Sequence, residues 1–68
     1  MDYSVDNVFM YHAPKPEHIE KYEQIRDTGK QMVILLNQLC PECREKWLAF
    51  TRVEEAVMWA NAAIARNG

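Results

Sequence analysis

The residue types best suited to metal or redox chemistry here are two cysteines and two histidines. Cys40 and Cys43 have the C-x-x-C spacing, which can be redox-active where a helix begins. A zinc site needs four ligands, but His12 and His18 lie six residues apart with two prolines between them. No βαβ pattern suggests a thioredoxin-like site. We therefore expect no metal and no cofactor, with Cys40 buried at a helix end, Cys43 facing outward, and both histidines at the surface or lining a pocket.

A second candidate is the basic segment around Gly29. Arg26 and Lys30 are four residues apart and share one face of a helix, and Thr28 adds a hydroxyl nearby, so the segment suits a phosphate. A glycine inside a helix costs about 1 kcal/mol relative to alanine, which indicates close approach of another helix or of a ligand. Two interpretations stay open: a phosphate site, or a solvated charged face with a tight helix crossing at Gly29.

Residues 1–16 are predicted to form an arm that includes one short helical turn and packs on the rest of the chain. Pro14 and Pro16 fix their own φ and disfavour helix at the residues before them. Tyr11 lies just before this stiff stretch, where its ring can stack on a flat ligand while its hydroxyl stays in water. From the residues alone, a staple that pins the arm to the rest of the chain is the favoured role for Tyr11.

Two helices follow the arm, which predicts an all-α fold. The first is expected at 17–39 and the second at 41–66, with Pro41 ending one and opening the other. The short turn makes them an antiparallel hairpin. Apolar residues recur in each at spacings of three and four, as in a heptad seam. The first seam is Tyr22, Ile25, Gly29, Met32, Leu36 and Leu39; the second is Phe50, Val53, Val57, Ala60 and Ile64.

The sequence carries more apolar surface than one hairpin can bury. A 68-residue chain is a marginal domain by itself. Trp47 and Trp59 lie outside both seams, and burying an aromatic side chain contributes roughly 2–3 kcal/mol. We therefore expect a homo-oligomer in which both tryptophans are buried. The alternative is a monomeric three-helix bundle whose third member is the arm.

Several functional classes are excluded. The net charge of −2 argues against a DNA or RNA polymer as partner. No apolar run approaches the length of a membrane span, and no signal-peptide pattern opens the chain, so a reducing cytosol is expected. Two glycines are too few for a phosphate-binding loop. Glu54 and Glu55 do not face each other on a helix, so they are expected in a solvated face or in pairs between subunits. We expect that this protein is not an enzyme.

The chain resembles the phage anti-CBASS cyclic-nucleotide sponges, and its hairpin is similar to that of the anti-Thoeris sponges. The resemblance covers most of the chain from about Phe9, and its C-terminal stretch is the most specific part. The matching segments are 9–16 (FMYHAPKP), 22–26 (YEQIR), 39–41 (LCP), 44–46 (REK) and 54–67 (EEAVMWANAAIARN).

This resemblance implies a fold, an assembly and a function. The family folds as a helical hairpin with a short N-terminal segment, and six copies form a hexamer. It is not enzymatic: it holds cyclic oligonucleotide signals of bacterial immunity away from their effectors in the cytoplasm of the infected bacterium. Cyclic dinucleotides such as 3′,3′-cGAMP occupy pockets between two protomers, and cyclic trinucleotides occupy separate pockets where three protomers meet.

The resemblance also implies site residues. Tyr11 matches the tyrosine that stacks on a base, and Arg26 stands where the family has a phosphate-binding lysine, which keeps the charge but changes the donor geometry. Lys30 is added to this dinucleotide site from its helix spacing to Arg26. The residues expected at the trinucleotide site are His12, Thr28 and Arg66, although a neutral amide would be usual in place of His12.

A different class of function stays open beside this one. A helical oligomer could instead be a structural or protein-interaction module whose surplus apolar faces bind another protein. Stabilisation against heat by a cyclic dinucleotide would separate the two, because an interaction module has no reason to respond to it.

Overall fold

The computed structural model describes residues 5–10, 12–13 and 15–68. Helix α1 spans Val5–Phe9, α2 spans Pro16–Leu39 and α3 spans Arg44–Asn67. No strand occurs in these described ranges, so the expectation of an all-α hairpin is confirmed. A Cβ placed on Gly68 would lie 3.3 Å from His18 Nε2, so the end of α3 lies beside the start of α2 and the two helices are antiparallel.

Local signals in the sequence explain where α2 begins and ends. Pro16 is its first residue, where the missing N–H costs nothing. Lys15 before it has an extended backbone (φ −99°, ψ 148°), as a residue before proline prefers. Glu17 places a carboxylate in the first turn, where the helix dipole stabilises it. At the other end, the N–H of Cys40 donates to the carbonyl of Leu36 at 2.9 Å.

The second long helix begins later than the sequence predicts. The predicted span 41–66 is corrected to Arg44–Asn67, with Pro41 outside the helix. Cys40 is extended (φ −90°, ψ 137°) because a proline follows it, and Cys43 is extended as well (φ −167°, ψ 169°). The chain uses these residues to reverse direction before α3 can run back along α2.

Helices α2 and α3 approach each other closely at Gly29. A Cβ placed on Gly29 would lie 2.6 Å from Val57 Cγ2 and 3.9 Å from Val53 Cγ1. A side chain at this position would require Val57 to change its rotamer or the two helices to separate. The structure therefore accounts for Gly29 as a tight helix crossing.

The seam of α3 matches the predicted one, whereas that of α2 shifts along the helix. All five predicted positions of α3, from Phe50 to Ile64, are half-buried. On α2, Met32 is 51% exposed and Leu39 is 71% exposed, while Val33 is half-buried. The cause is geometric: an α-helix has 3.6 residues per turn, so a strict heptad pattern drifts away from the contact line.

The described part of a single chain has no fully buried apolar core. None of the apolar side chains in the described residues is fully buried. Trp47 is 58% exposed and Trp59 is 64% exposed. The lone hairpin thus leaves both tryptophans largely in water, as the sequence indicates. No helix in the described ranges is long and apolar enough to cross a membrane.

The most buried side chains of the described residues are polar. His18, expected at the surface or in a pocket, is instead only 3% exposed, and its ring meets the edge of Tyr22 with centroids 6.1 Å apart. Within the described part of the chain, its Nδ1 and the Oδ1 of Asn61 are buried without a hydrogen-bond partner. Lys46 is 4% exposed, and its Nζ donates to Glu42 Oε1 at 2.5 Å, which ties the turn to α3.

Candidate functional site

Two of the three residues expected at a dinucleotide site lie on the outer surface of α2. Arg26 and Lys30 are both exposed and one helical turn apart. Neither forms an ion pair within the described residues, so both charges are available to an anion. Tyr11, the third member of this predicted site, lies outside the described residues. The geometry therefore places two exposed cations on α2, with the exposed carboxylates of Glu23 and Asp27 within one turn of them.

Thr28 lies on the opposite side of the seam. It borders a groove of about 770 Å³ between α2 and α3, whose walls are mostly apolar and whose polar residues are Gln24, Thr28 and Arg52. Arg52 donates from Nη1 to Glu55 Oε1 one turn further along α3, so part of its charge is already compensated. Glu55 thus has a partner on its own helix, and the groove offers a ligand chiefly apolar surface with a hydroxyl at its edge.

A second pocket, of about 500 Å³, lies at the open end of the hairpin. It forms where the segment before α2 meets the last turn of α3. His12 and Arg66, both expected at a trinucleotide site, line this pocket together with Lys15. None of its lining side chains is acidic, and those side chains include two permanent cations and one histidine.

A hydrogen bond fixes the ring of His12. Its Nε2 lies 2.7 Å from the backbone carbonyl oxygen of Asn7. A carbonyl oxygen only accepts, so Nε2 carries the hydrogen and Nδ1 is the ring atom left for a ligand. A neutral His12 therefore offers an acceptor at Nδ1, whereas an amide in the same place would offer both a donor and an acceptor.

The three residues expected at a trinucleotide site do not meet within one chain. Pro16 lines the pocket that holds His12 and Arg66. Thr28 lies twelve residues further along α2, which is about 18 Å at the rise of an α-helix. A site that combines Thr28 with Arg66 therefore has to draw them from different copies of the chain.

Sequence reasoning did not place Lys15 in this pocket with His12 and Arg66. The available signal was topological: in an antiparallel hairpin, the residue before the first helix lies beside the last turn of the second. That rule places Lys15 near Arg66, but it applies only once the register of the two helices is known. Residue types and spacings along the chain do not supply that register.

Comparison with known proteins identifies one family. A family model described as Acb2/Tad1, hairpin domain, matches residues 1–65. Searches of curated proteins and of solved structures yield no match. The family match extends over all of α2, over α3 as far as Ala65, and over the segment that holds His12 and Lys15, and it ends one residue before Arg66.

Proposed function

The chain belongs to the Acb2/Tad1 hairpin family of anti-CBASS and anti-Thoeris sponges, and we propose that it binds and sequesters cyclic di- and trinucleotide immune signals. This family is one of ligand-binding sponges and is not a family of enzymes. The single observation that carries the proposal is the match over residues 1–65, nearly the whole chain. The proposed place of action is the cytoplasm of an infected host bacterium.

The exposed cations of α2 are the proposed cyclic dinucleotide site. A cyclic dinucleotide carries two phosphate charges and two flat bases. In a pocket between two copies, Arg26 and Lys30 of each copy bind a phosphate, and Tyr11 stacks on a base. Support comes from the exposure of both cations and from the lack of an ion pair at either one within the described residues. Binding of this kind needs no catalytic group.

The basic pocket at the open end of the hairpin is part of the proposed cyclic trinucleotide site. His12 and Arg66 already line it together. Thr28 completes the site from another copy, since it lies about 18 Å away along α2 in the same chain. Arg26 and Thr28 lie on opposite sides of the seam, so the two proposed sites do not overlap.

The proposed assembly is a homohexamer. The support is physical: the single chain exposes two tryptophans and lacks a dry core in its described part. Association of copies would cover this apolar surface. A monomeric three-helix bundle is disfavoured because Phe9, at the end of α1, is 80% exposed.

Native mass spectrometry with and without 3′,3′-cGAMP tests both the assembly and the function. We expect an ion of six chains that gains intact ligand, and recovery of the cyclic nucleotide, uncleaved, after the protein is denatured. A stable folded monomer at micromolar concentration would contradict the assembly. Hexamers that gain no cyclic nucleotide and show no stabilisation against heat would instead favour the structural or protein-interaction module. Recovery of linear nucleotide would contradict sequestration.

The cysteine pair is expected to be dispensable for this function. Cys40 and Cys43 are both half-buried, so Cys40 is not fully buried and Cys43 does not face fully outward as expected. They lie at the closed end of the hairpin, about 35 Å along α2 from the basic pocket. The described residues contain no group of three metal-ligating side chains. A Cys40→Ser/Cys43→Ser double variant should bind both ligand classes as the wild type does; stoichiometric zinc in the wild type, or loss of binding in the variant, would contradict this.

A further inference from the structure

We propose that Lys15 is a phosphate-binding residue of the basic pocket and adds to its affinity for cyclic trinucleotides. The inference rests on the proposed function of that pocket. It starts from one observation: Lys15 lines the same pocket of about 500 Å³ as His12 and Arg66. The pocket thus has one permanent cation from each side, Lys15 from the start of α2 and Arg66 from the end of α3.

The backbone around Lys15 is fixed on both sides. Pro16 follows it and restricts it to the extended conformation that the structure shows. Its own carbonyl accepts the N–H of His18 at 2.9 Å, and the side chain of His18 is buried. Lys15 therefore has a set position at the mouth of the pocket, while its exposed side chain is free to reach a ligand. A fixed backbone lowers the entropy lost when a ligand binds.

The attraction of the basic pocket for a phosphate comes from side chains and not from the helix dipoles. The pocket lies where α2 begins, and the dipole of α2 attracts an anion there. It also lies where α3 ends, and the dipole of α3 repels an anion there. These two effects oppose each other, so Lys15 and Arg66 decide that the pocket favours phosphate. Lys15 makes no ion pair within the described residues that would neutralise it.

Lys15 should distinguish between the two ligand classes. A cyclic trinucleotide carries three phosphates, and the pocket offers cations to receive them. The proposed dinucleotide site at Arg26 is about 15 Å further along α2 from Pro16, beyond the reach of the Lys15 side chain. Removal of the Lys15 charge is therefore expected to weaken trinucleotide binding alone.

The test is calorimetry on the variants Lys15→Gln, Lys15→Arg and Lys21→Gln. The ligands are the cyclic trinucleotide 3′,3′,3′-cAAA and the cyclic dinucleotide 3′,3′-cGAMP. Lys21 is the matched control because it is an exposed lysine of α2 that lines neither cavity. We expect Lys15→Gln to weaken 3′,3′,3′-cAAA binding ~10- to 100-fold, with 3′,3′-cGAMP binding and the ligand-free melting temperature unchanged. Lys15→Arg should restore most of the affinity, and Lys21→Gln should match the wild type.

Five outcomes would overturn the inference. Unchanged 3′,3′,3′-cAAA affinity in Lys15→Gln would exclude the proposed contact of Lys15 with phosphate, and the proposed sponge function would still stand. An equal loss in Lys21→Gln, or for both ligands in Lys15→Gln, shows a general charge effect. If the wild type binds 3′,3′-cGAMP but not 3′,3′,3′-cAAA, the basic pocket is not a trinucleotide site. If the wild type binds neither ligand, the proposed function itself is wrong.

Discussion

Arg26→Ala is expected to weaken binding of 3′,3′-cGAMP about a hundredfold or more. A hydrogen bond from a charged donor to phosphate contributes roughly 1.5–3 kcal/mol, and each 1.4 kcal/mol is about tenfold in affinity. In a pocket between two copies, the change removes two such contacts per ligand. Arg26 is exposed on α2 and makes no ion pair in the described residues, so its loss should not disturb the hairpin.

Calorimetry on Arg26→Ala, with Arg44→Ala as control, measures this effect. Arg44 is an exposed arginine at the first position of α3, at the other end of the hairpin. Its replacement removes the same charge and should leave both affinities unchanged. Native mass spectrometry should still give the wild-type assembly for Arg26→Ala, and 3′,3′,3′-cAAA should still bind. Wild-type affinity for 3′,3′-cGAMP in Arg26→Ala would exclude Arg26 from the site.

Tyr11→Ala should have an effect of similar size at the same site. Stacking of a base on an aromatic ring contributes roughly 1–3 kcal/mol, and a two-fold pocket loses it twice. Tyr11→Phe separates the ring from the hydroxyl, so it should retain most of the affinity if stacking is the contribution. Unchanged affinity in Tyr11→Ala would instead favour the alternative role of Tyr11 as a staple for the arm.

Much of the fold follows from local signals that residues carry by themselves. Proline and the spacing of apolar residues identify two long helices, and the short turn between them makes them antiparallel. The predicted start of α3 is wrong because proline is equally suited to two positions, the first residue of a helix and the turn before it. Only the path that the chain needs to reverse direction decides that Pro41 lies in the turn.

The seam of α2 shows a different limit. Spacings of three and four identify an apolar face but do not say which of two neighbouring residues, Met32 or Val33, points at the partner helix. That choice depends on how the two helices cross. The crossing is set by contact between Gly29 and Val57, which are far apart in the sequence.

The candidate site was predictable only in part, because its residues belong together through tertiary and quaternary structure. Arg26 and Lys30 share a helix face, so their spacing reveals them as a pair. His12, Lys15 and Arg66 meet only because the hairpin brings its two ends together. The resemblance to a family supplied His12 and Arg66, but it did not supply Lys15. Thr28 is distant from that pocket within one chain. Its proposed place in the same site therefore depends on the arrangement of copies, which the sequence pattern does not give.

Gly29→Leu is expected to destabilise the hairpin by about 3 kcal/mol, at the upper end of the usual cost of overpacking. Leucine is a better helix former than glycine by nearly 1 kcal/mol, so helix propensity alone predicts the opposite sign. Packing decides the outcome, because even a Cβ would lie 2.6 Å from Val57 Cγ2. Valine is branched at Cβ and cannot swing this methyl aside freely. Either Val57 must leave its preferred rotamer or the two helices must separate along the seam, and both changes cost stability.

Thermal or urea unfolding at one fixed protein concentration measures this change, since association couples stability to concentration. Gln31→Leu is the control: it adds the same side chain at an exposed position of α2 two residues away and should change stability little. A Gly29→Ala/Val57→Ala double variant tests the contact directly. Removal of the blocking methyl should make the double variant more stable than the sum of the single changes predicts, by about 0.5–3 kcal/mol.

The same variants distinguish the two interpretations of Gly29 that the sequence leaves open. If glycine is present to admit a helix, Gly29→Ala loses stability and regains part of it with Val57→Ala. If glycine is instead present to admit a phosphate, Gly29→Ala gains helix propensity, melts at or above the wild-type temperature and loses affinity for a cyclic nucleotide. The 2.6 Å approach of Val57 to the place of a Cβ favours the first outcome, because it leaves no room for a ligand between Gly29 and α3.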